Sequence, residues 1–266
     1  MKYKLFIADF DGTLGKAPGV IEPETVEAVK KYVDKGGIFV ICTGRMTSSI
    51  RPICHRYGIK GIVVSYQGAM ISEINSDKVY QSGGIDYKTA KQVVEEIKEQ
   101  GVQAQIYVDD TLYFDVYNEY SKIYEKNCGV VGKVVDSLPA FLEEKKKNSA
   151  KVCGVAKPEK ADEVVEILKE KFPQLICNKG EHFLIEVINP QFCKGKAVEF
   201  LAKHFNIDYS EILAVGDSTN DITLVDGPWH GVAVGDGMEQ LKKVAKEITV
   251  EYKKQPIKVL LEKYCL

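Results

Sequence analysis

The chain has 266 residues, 45% of them hydrophobic, enough for one large domain or two modest ones with a substantial core. Lys and Arg total 36 against 38 Asp and Glu, and the charges are dispersed except for the run from Glu143 to Lys147, so the basic footprint of a nucleic-acid binder is absent. No stretch approaches the roughly 18 to 20 apolar residues of a membrane span, the start resembles no signal peptide, and seven scattered cysteines without a Cys-x-x-Cys pair read as reduced, buried thiols. The expectation is a cytoplasmic protein with no membrane or nucleic-acid partner.

In chain order, "KLFIADFDGTLG" (4–15) opens with a buried strand that stops at a turn, which leaves two carboxylates, Asp9 and Asp11, unexplained at its mouth. Pro23 starts a helix with Val26, Val29 and Val33 on one face, Gly36-Gly37 ends it, and "IFVICTG" returns as a second strand. A helix from about Ser48 to Tyr57 and the strand "GIVVS" (61–65) continue the alternation, which predicts a parallel sheet covered on both faces.

From about 84 to 188 the texture changes. A helix (Ala90, Val93, Val94, Ile97) precedes strands "VQAQIYV" and "LYFDV" around Asp109-Asp110, and a second helix (Ala161, Val164, Val165, Leu168) precedes "LICN" and "FLIEVI" around Lys179-Gly180. This pattern predicts an α+β module inserted into the first domain. The first grammar then resumes with a helix from about Gly195 to His204, the strand "EILAVGD", a helix after Asn220, the strand "GVAVG", and a last helix around Ile257, Leu260 and Leu261. The predicted fold class is therefore α/β: a doubly wound, Rossmann-like parallel sheet from 1–83 and 189–266, with an inserted α+β domain at 84–188.

Asp9, Asp11, Thr43 and Asp217 each fall at the carboxyl end of a predicted strand, where such sheets bind ligands. Asp9 and Asp11 together with the aspartates of "GDSTND" (216–221) would repel one another without a cation, and oxygen donors alone point to a hard octahedral ion such as Mg²⁺. Any one of these aspartates alone would read as a cap or turn residue.

Taken in order, "DFDGTL", "ICTG", "KGKA" (194–197) and "GDSTND" resemble the four motifs of the haloacid dehalogenase-like superfamily, spread over nearly the whole chain. The resemblance implies that Asp9 is a nucleophile forming an aspartyl-phosphate and Asp11 a general acid and then base. It further implies that Thr43 and Lys194 bind the transferring phosphoryl group, with Gly44, Arg45 and Asn220 on the substrate side. Mg²⁺ would be held by Asp9, the Asp11 carbonyl and Asp217, with Asp221 in support. Lys194 is preferred to Lys196 because it precedes the glycine opening the helix. Asn220 reads equally as a donor or a helix cap, and Arg45 as a substrate contact or an exposed helix-start residue.

Members that cleave carbon–halogen bonds or pump ions lack a carboxylate at the position of Asp11, so phosphate-ester hydrolysis or phosphoryl transfer within a substrate is implied. About 30 residues separate Asp11 from Thr43 and about 150 separate Thr43 from Lys194, so the insertion resembles the C2 (type IIB) α/β cap of Cof-type phosphatases. "SYQGA" departs from their usual Ser-Asn-Gly-Ala at Gln67, and "GVAVGDG" lacks their Gly-Asn-Ala. Closing such a cap would exclude water and bring its turns at Asp109-Asp110 and Lys179 to His182, with Tyr113 and Tyr117, toward a leaving group, although the tyrosines and His182 also read as packing residues. The implied function is a Mg²⁺-dependent phosphomonoesterase for a small phosphorylated metabolite, sugar phosphates before flavin or pyridoxal phosphates, working as a monomer or weak homodimer. A phosphohexomutase-like enzyme and a phosphate-binding protein without turnover are the alternatives.

Overall fold

A computed structural model describes residues 2–180 and 184–266. The chain divides into two compact units, residues 1–81 with 193–266, and residues 82–192. The joins lie a few residues from the 83/84 and 188/189 positions read from the sequence. Gly83 packs against the Phe192 ring and Ile85 bridges Ser149, which draws both flanks into the second unit.

The first unit begins with β1 (Leu5–Asp9), α1 (Pro23–Asp34), β2 (Ile38–Cys42), α2 (Thr47–Tyr57), β3 (Ile62–Ser65), β4 (Met70–Glu73) and β5 (Val79–Ser82). Pro23 stands in the first turn of α1, where its missing N–H costs nothing, and Gly58 ends α2 in the left-handed conformation. Every residue of β1 is buried, and its side chains alternate between two cores. Phe6 and Ala8 meet Val26, Val29, Ile50 and Ile53 on one face, while Leu5 and Ile7 join a separate apolar cluster on the other. A strand apolar on both sides is the signature of a covered parallel sheet.

The second unit holds α3 (Tyr87–Glu99), β6 (Gln103–Val108), β7 (Thr111–Phe114), α4 (Glu119–Cys128), β8 (Lys133–Val134), α5 (Leu138–Lys145), β9 (Val152–Val155), α6 (Pro158–Lys171), β10 (Ile176–Lys179) and β11 (Leu184–Ile188). The strand order is β10-β11-β9-β6-β7-β8, antiparallel except where β8 runs parallel to β7. The central β9, with α4, α5 and β8, goes beyond the twofold helix-plus-hairpin pattern read from the sequence. Asp109 and Asp110 both have positive φ, as a two-residue hairpin turn with right-handed strand twist requires. One sheet face is apolar under α3, α5 and α6. The register Gln105↔Cys153↔Glu186 marks the opposite face, where Lys151 pairs with Glu186 at 2.5 Å and the Tyr107 hydroxyl meets that of Tyr124 at 2.6 Å.

The first unit resumes with α7 (Lys194–Phe205), β12 (Ile212–Gly216), α8 (Ile222–Val225), β13 (His230–Ala233), α9 (Glu239–Lys242), β14 (Glu247–Ile248) and α10 (Pro256–Tyr264). Its eight strands lie in the order β14-β13-β12-β1-β2-β3-β4-β5. The run from β14 to β3 is parallel, and β4 turns back antiparallel on β3, so the sheet is mixed at one edge. On one face Ile257, Leu260 and Leu261 of α10 pack with α1, and on the other α7 contributes Ala197, Val198, Leu201 and Ala202. The sheet is thus covered on both sides, as the alternation predicts. No described helix is long and apolar enough to cross a membrane.

Candidate active site

β1 lies at the centre of its sheet, which places Asp9 between the ends of two neighbours. Asp9 is level with Cys42 of β2, so Thr43 follows at the adjacent strand end. On the other side Ala8 is level with Val215 of β12, and Asp217 comes two residues later. Register alone therefore brings the Asp9, Thr43 and Asp217 positions to one edge of the sheet.

Lys194 opens α7 directly below this edge. Its side chain is 1% exposed, and its ammonium donates to Asp9 Oδ1 and to Asp221 Oδ1, each at 2.6 Å. Burial works against its charge, but Asp221 and Asp9 outweigh burial and push the ammonium further up. Lys196, by contrast, is exposed and paired with Glu199 on the helix surface. Gly195 allows α7 to approach, since a Cβ there would meet the Thr223 carbonyl at 2.4 Å.

Carboxylate oxygens of Asp9, Asp217 and Asp221 lie within 4.8 Å of one another. Burial first, then Asp221, pushes the Asp9 carboxyl well up despite Lys194. Burial and Asp221 likewise push Asp217 up to about 6. Three acidic groups with one lysine leave a site short of positive charge, and the donors are all oxygen. That chemistry fits a hard divalent cation. Asp221 is the support of the loop: its Oδ2 accepts the backbone N–H groups of Asp217 and Ser218, each at 3.1 Å.

Asp11 is turned to Arg45 and is not part of this acidic triad. Arg45 Nε donates to its Oδ2 at 2.7 Å and Nη2 to its Oδ1 at 2.6 Å. Thr43 is buried, and its hydroxyl oxygen accepts the Arg45 backbone N–H at 3.1 Å. Asn220 is exposed and accepts from the Ser218 hydroxyl at 2.5 Å, while Ser218 rather than Asn220 caps the short helical turn. The structure does not bring the Asn220 side chain among the buried groups.

Two further residues support this site. Thr13 donates to Asp217 Oδ1 at 3.0 Å, across 204 positions of chain. Gly12 has φ +86°, and a Cβ on it would stand 2.6 Å from Asp217 Oδ2, so close approach of the two loops requires glycine here. Gln67, which stands where Cof-type phosphatases usually have asparagine, is buried with Tyr66 in left-handed backbone. Its Nε2 lies where a Cβ on Gly44 would be, at 2.5 Å, so Gly44 and Gln67 fit as a pair.

In the second unit, Tyr113 packs on Phe141 with ring centroids 4.4 Å apart. Tyr117 donates to Glu125 at 2.7 Å, Lys147 binds Asp109, and Lys179 binds Asp162. His182 lies outside the described residues.

Comparison with known proteins identifies the family and the fold. A family profile described as haloacid dehalogenase-like hydrolase matches residues 6–261. A Haemophilus influenzae protein provisionally named a phosphatase is 30% identical, with 98% of each chain covered. A crystal structure from Thermotoga maritima is 27% identical with a TM-score of 0.86, covering 98% of this chain and 97% of that one. A subclass IIB sugar phosphatase of the same superfamily shares the fold, with a TM-score of 0.82 at 22% identity and 98% of each chain covered.

Proposed function

This chain belongs to the haloacid dehalogenase-like hydrolases, and from that membership we propose that it is a phosphatase, a Mg²⁺-dependent phosphomonoesterase of the Cof type acting on small soluble phosphates. The observation that carries the proposal is the buried Lys194 joined to both Asp9 and Asp221, with Asp217 within 4.8 Å. Such an arrangement has no structural economy on its own. Crowded, desolvated carboxylates oppose folding unless charge from a ligand is added.

Asp9 attacks phosphorus, the bond to the leaving oxygen breaks, and Asp11 gives that oxygen a proton. Water then attacks the aspartyl-phosphate, Asp11 takes its proton, and phosphate leaves as Asp9 is regenerated. Lys194 fixes Asp9 and opposes the negative charge of the phosphoryl oxygens, while Thr43 offers a hydroxyl at the neighbouring strand end. Asp9, Asp217 and the Asp11 carbonyl are the groups that would hold Mg²⁺. When bound, the ion supplies the positive charge that lets carboxylates and a phosphate dianion share the site. The side chain of Asp221, already tied to Lys194 and two backbone N–H groups, orients rather than reacts.

Sugar phosphates are the first substrates to try, supported by the fold shared with a named sugar phosphatase. Flavin and pyridoxal phosphates follow. The test is phosphate release from a panel of such compounds with Mg²⁺ or with EDTA, using Asp9→Asn as the blank. Release that needs Mg²⁺ and vanishes in Asp9→Asn supports the proposal. Turnover that survives Asp9→Asn sinks the nucleophile, and interconversion of sugar phosphates outrunning hydrolysis moves the reading to a mutase.

A further inference from the structure

Arg45 is held from several sides. Its backbone N–H is bound to the Thr43 hydroxyl at 3.1 Å, and its carbonyl accepts the Tyr66 N–H at 3.0 Å. The guanidinium lies over the Phe10 ring, 5.1 Å from the centroid, and its side chain is only 11% exposed. Two of its nitrogens meet the two oxygens of Asp11 at 2.7 and 2.6 Å, a planar fork on a planar carboxylate.

Asp11 by contrast sits on a turn, with its side chain 34% exposed and Gly12 next in the chain at φ +86°. Such a carboxylate has little of its own to fix its direction. Collecting a proton from the attacking water, the step in which Asp11 is an ionised carboxylate as the fork requires, depends on its direction. Resting on the phosphatase reading above, we infer that Arg45 is a positioning residue that acts through Asp11 and not a ligand of the substrate. The anchoring explains why an arginine is used. A lysine ammonium is a single point of charge and cannot hold both oxygens in one plane.

The test is a double-mutant cycle on the full-length enzyme, with kcat and KM measured under Mg²⁺ and the affinity for inorganic phosphate measured by calorimetry. Arg45→Ala is expected to lower kcat roughly 10- to 100-fold, with KM and phosphate Kd unchanged within about twofold. In an Asp11→Asn background the same substitution should change kcat by less than about twofold, because the group it orients is already lost. Arg45→Lys should recover little of the loss. Equal losses in the two backgrounds, a phosphate Kd weakened tenfold or more, or full rescue by lysine would each overturn the inference. If Arg45→Ala does not fold, Arg45→Gln carries the same cycle. Turnover persisting in Asp9→Asn would sink the phosphatase reading itself, whereas additive losses at Asp11 and Arg45 in an enzyme that needs Asp9 sink only the role of Arg45.

Discussion

Burial and the proximity of Asp221 push the Asp217 carboxyl up, so the folded protein carries an electrostatic cost that a cation would relieve. Replacing Asp217 with Asn keeps the shape and the acceptor for Thr13 while removing one of three crowded charges. In EDTA at pH 8 the variant should be more stable by about 1 to 3 kcal/mol, the scale of such a shift, and should lose activity. A lower thermal midpoint than wild type would contradict this. Thr13→Val tests the other side of the same contact. It should leave the fold intact and reduce kcat roughly tenfold, as expected for a misplaced supporting group, and an unchanged kcat would show that Asp217 needs no tether. The carboxylates and Lys194 were legible because their residue types and spacing are unusual for plain structure. Thr13 was not, since a threonine after a glycine reads as a turn residue and its partner lies at the far end of the chain.

Elements bring together groups whose meaning no local window reveals. Tyr3 precedes β1, His230 opens β13, Glu247 lies in β14 and Tyr264 ends α10, yet they form one linked set. The Tyr3 hydroxyl is 2.5 Å from His230 Nδ1, His230 Nε2 is 3.1 Å from Glu247, and Tyr264 donates to Glu247 at 2.7 Å. Burial lowers the His230 pKa, with Lys2, Lys246 and Lys263 adding to that effect and Glu247 opposing it. A depressed pKa means that the neutral ring is favoured by folding. The stability it contributes is complete above the unfolded value of about 6.5 and is lost as pH falls through the lower folded value. His230→Gln should therefore flatten the fall in thermal midpoint below pH 6.5, and an unchanged slope would refute the assignment. In the second unit, Lys151 of the pair with Glu186 stands just before β9, in "NSAKVCGV", where it reads as a surface residue. Lys151→Ala should destabilise by about 1 to 3 kcal/mol, the scale of losing a hydrogen bond to a charged group in a part-buried pair, measured by urea unfolding. The short, partly polar β4 and β5 escaped the strand reading for a similar reason: they lack the apolar run that marks β1 to β3.

At the scale of the molecule, the alternation of strand and helix revealed the sheet, and the switch to hairpins revealed the insertion. Strand order within the second sheet was not legible, because β9 pairs with β6 and β11 across intervening helices rather than with a sequence neighbour. Residues 82–192 are one continuous segment with its own apolar core, so expressed alone they should fold and unfold cooperatively; a chain that stays unstructured by circular dichroism would count against that. The first unit has no such independence, since its two halves are separated by the second. During synthesis this matters most for β1, which lies between β2 and β12. At ordinary rates of about 5 to 20 residues per second, roughly ten to forty seconds pass between the emergence of Leu5–Asp9 and that of Ile212–Gly216. Throughout that interval the nascent chain has a bare hydrogen-bonding edge on the strand carrying Asp9, open to pairing with any other unpaired strand on the ribosome.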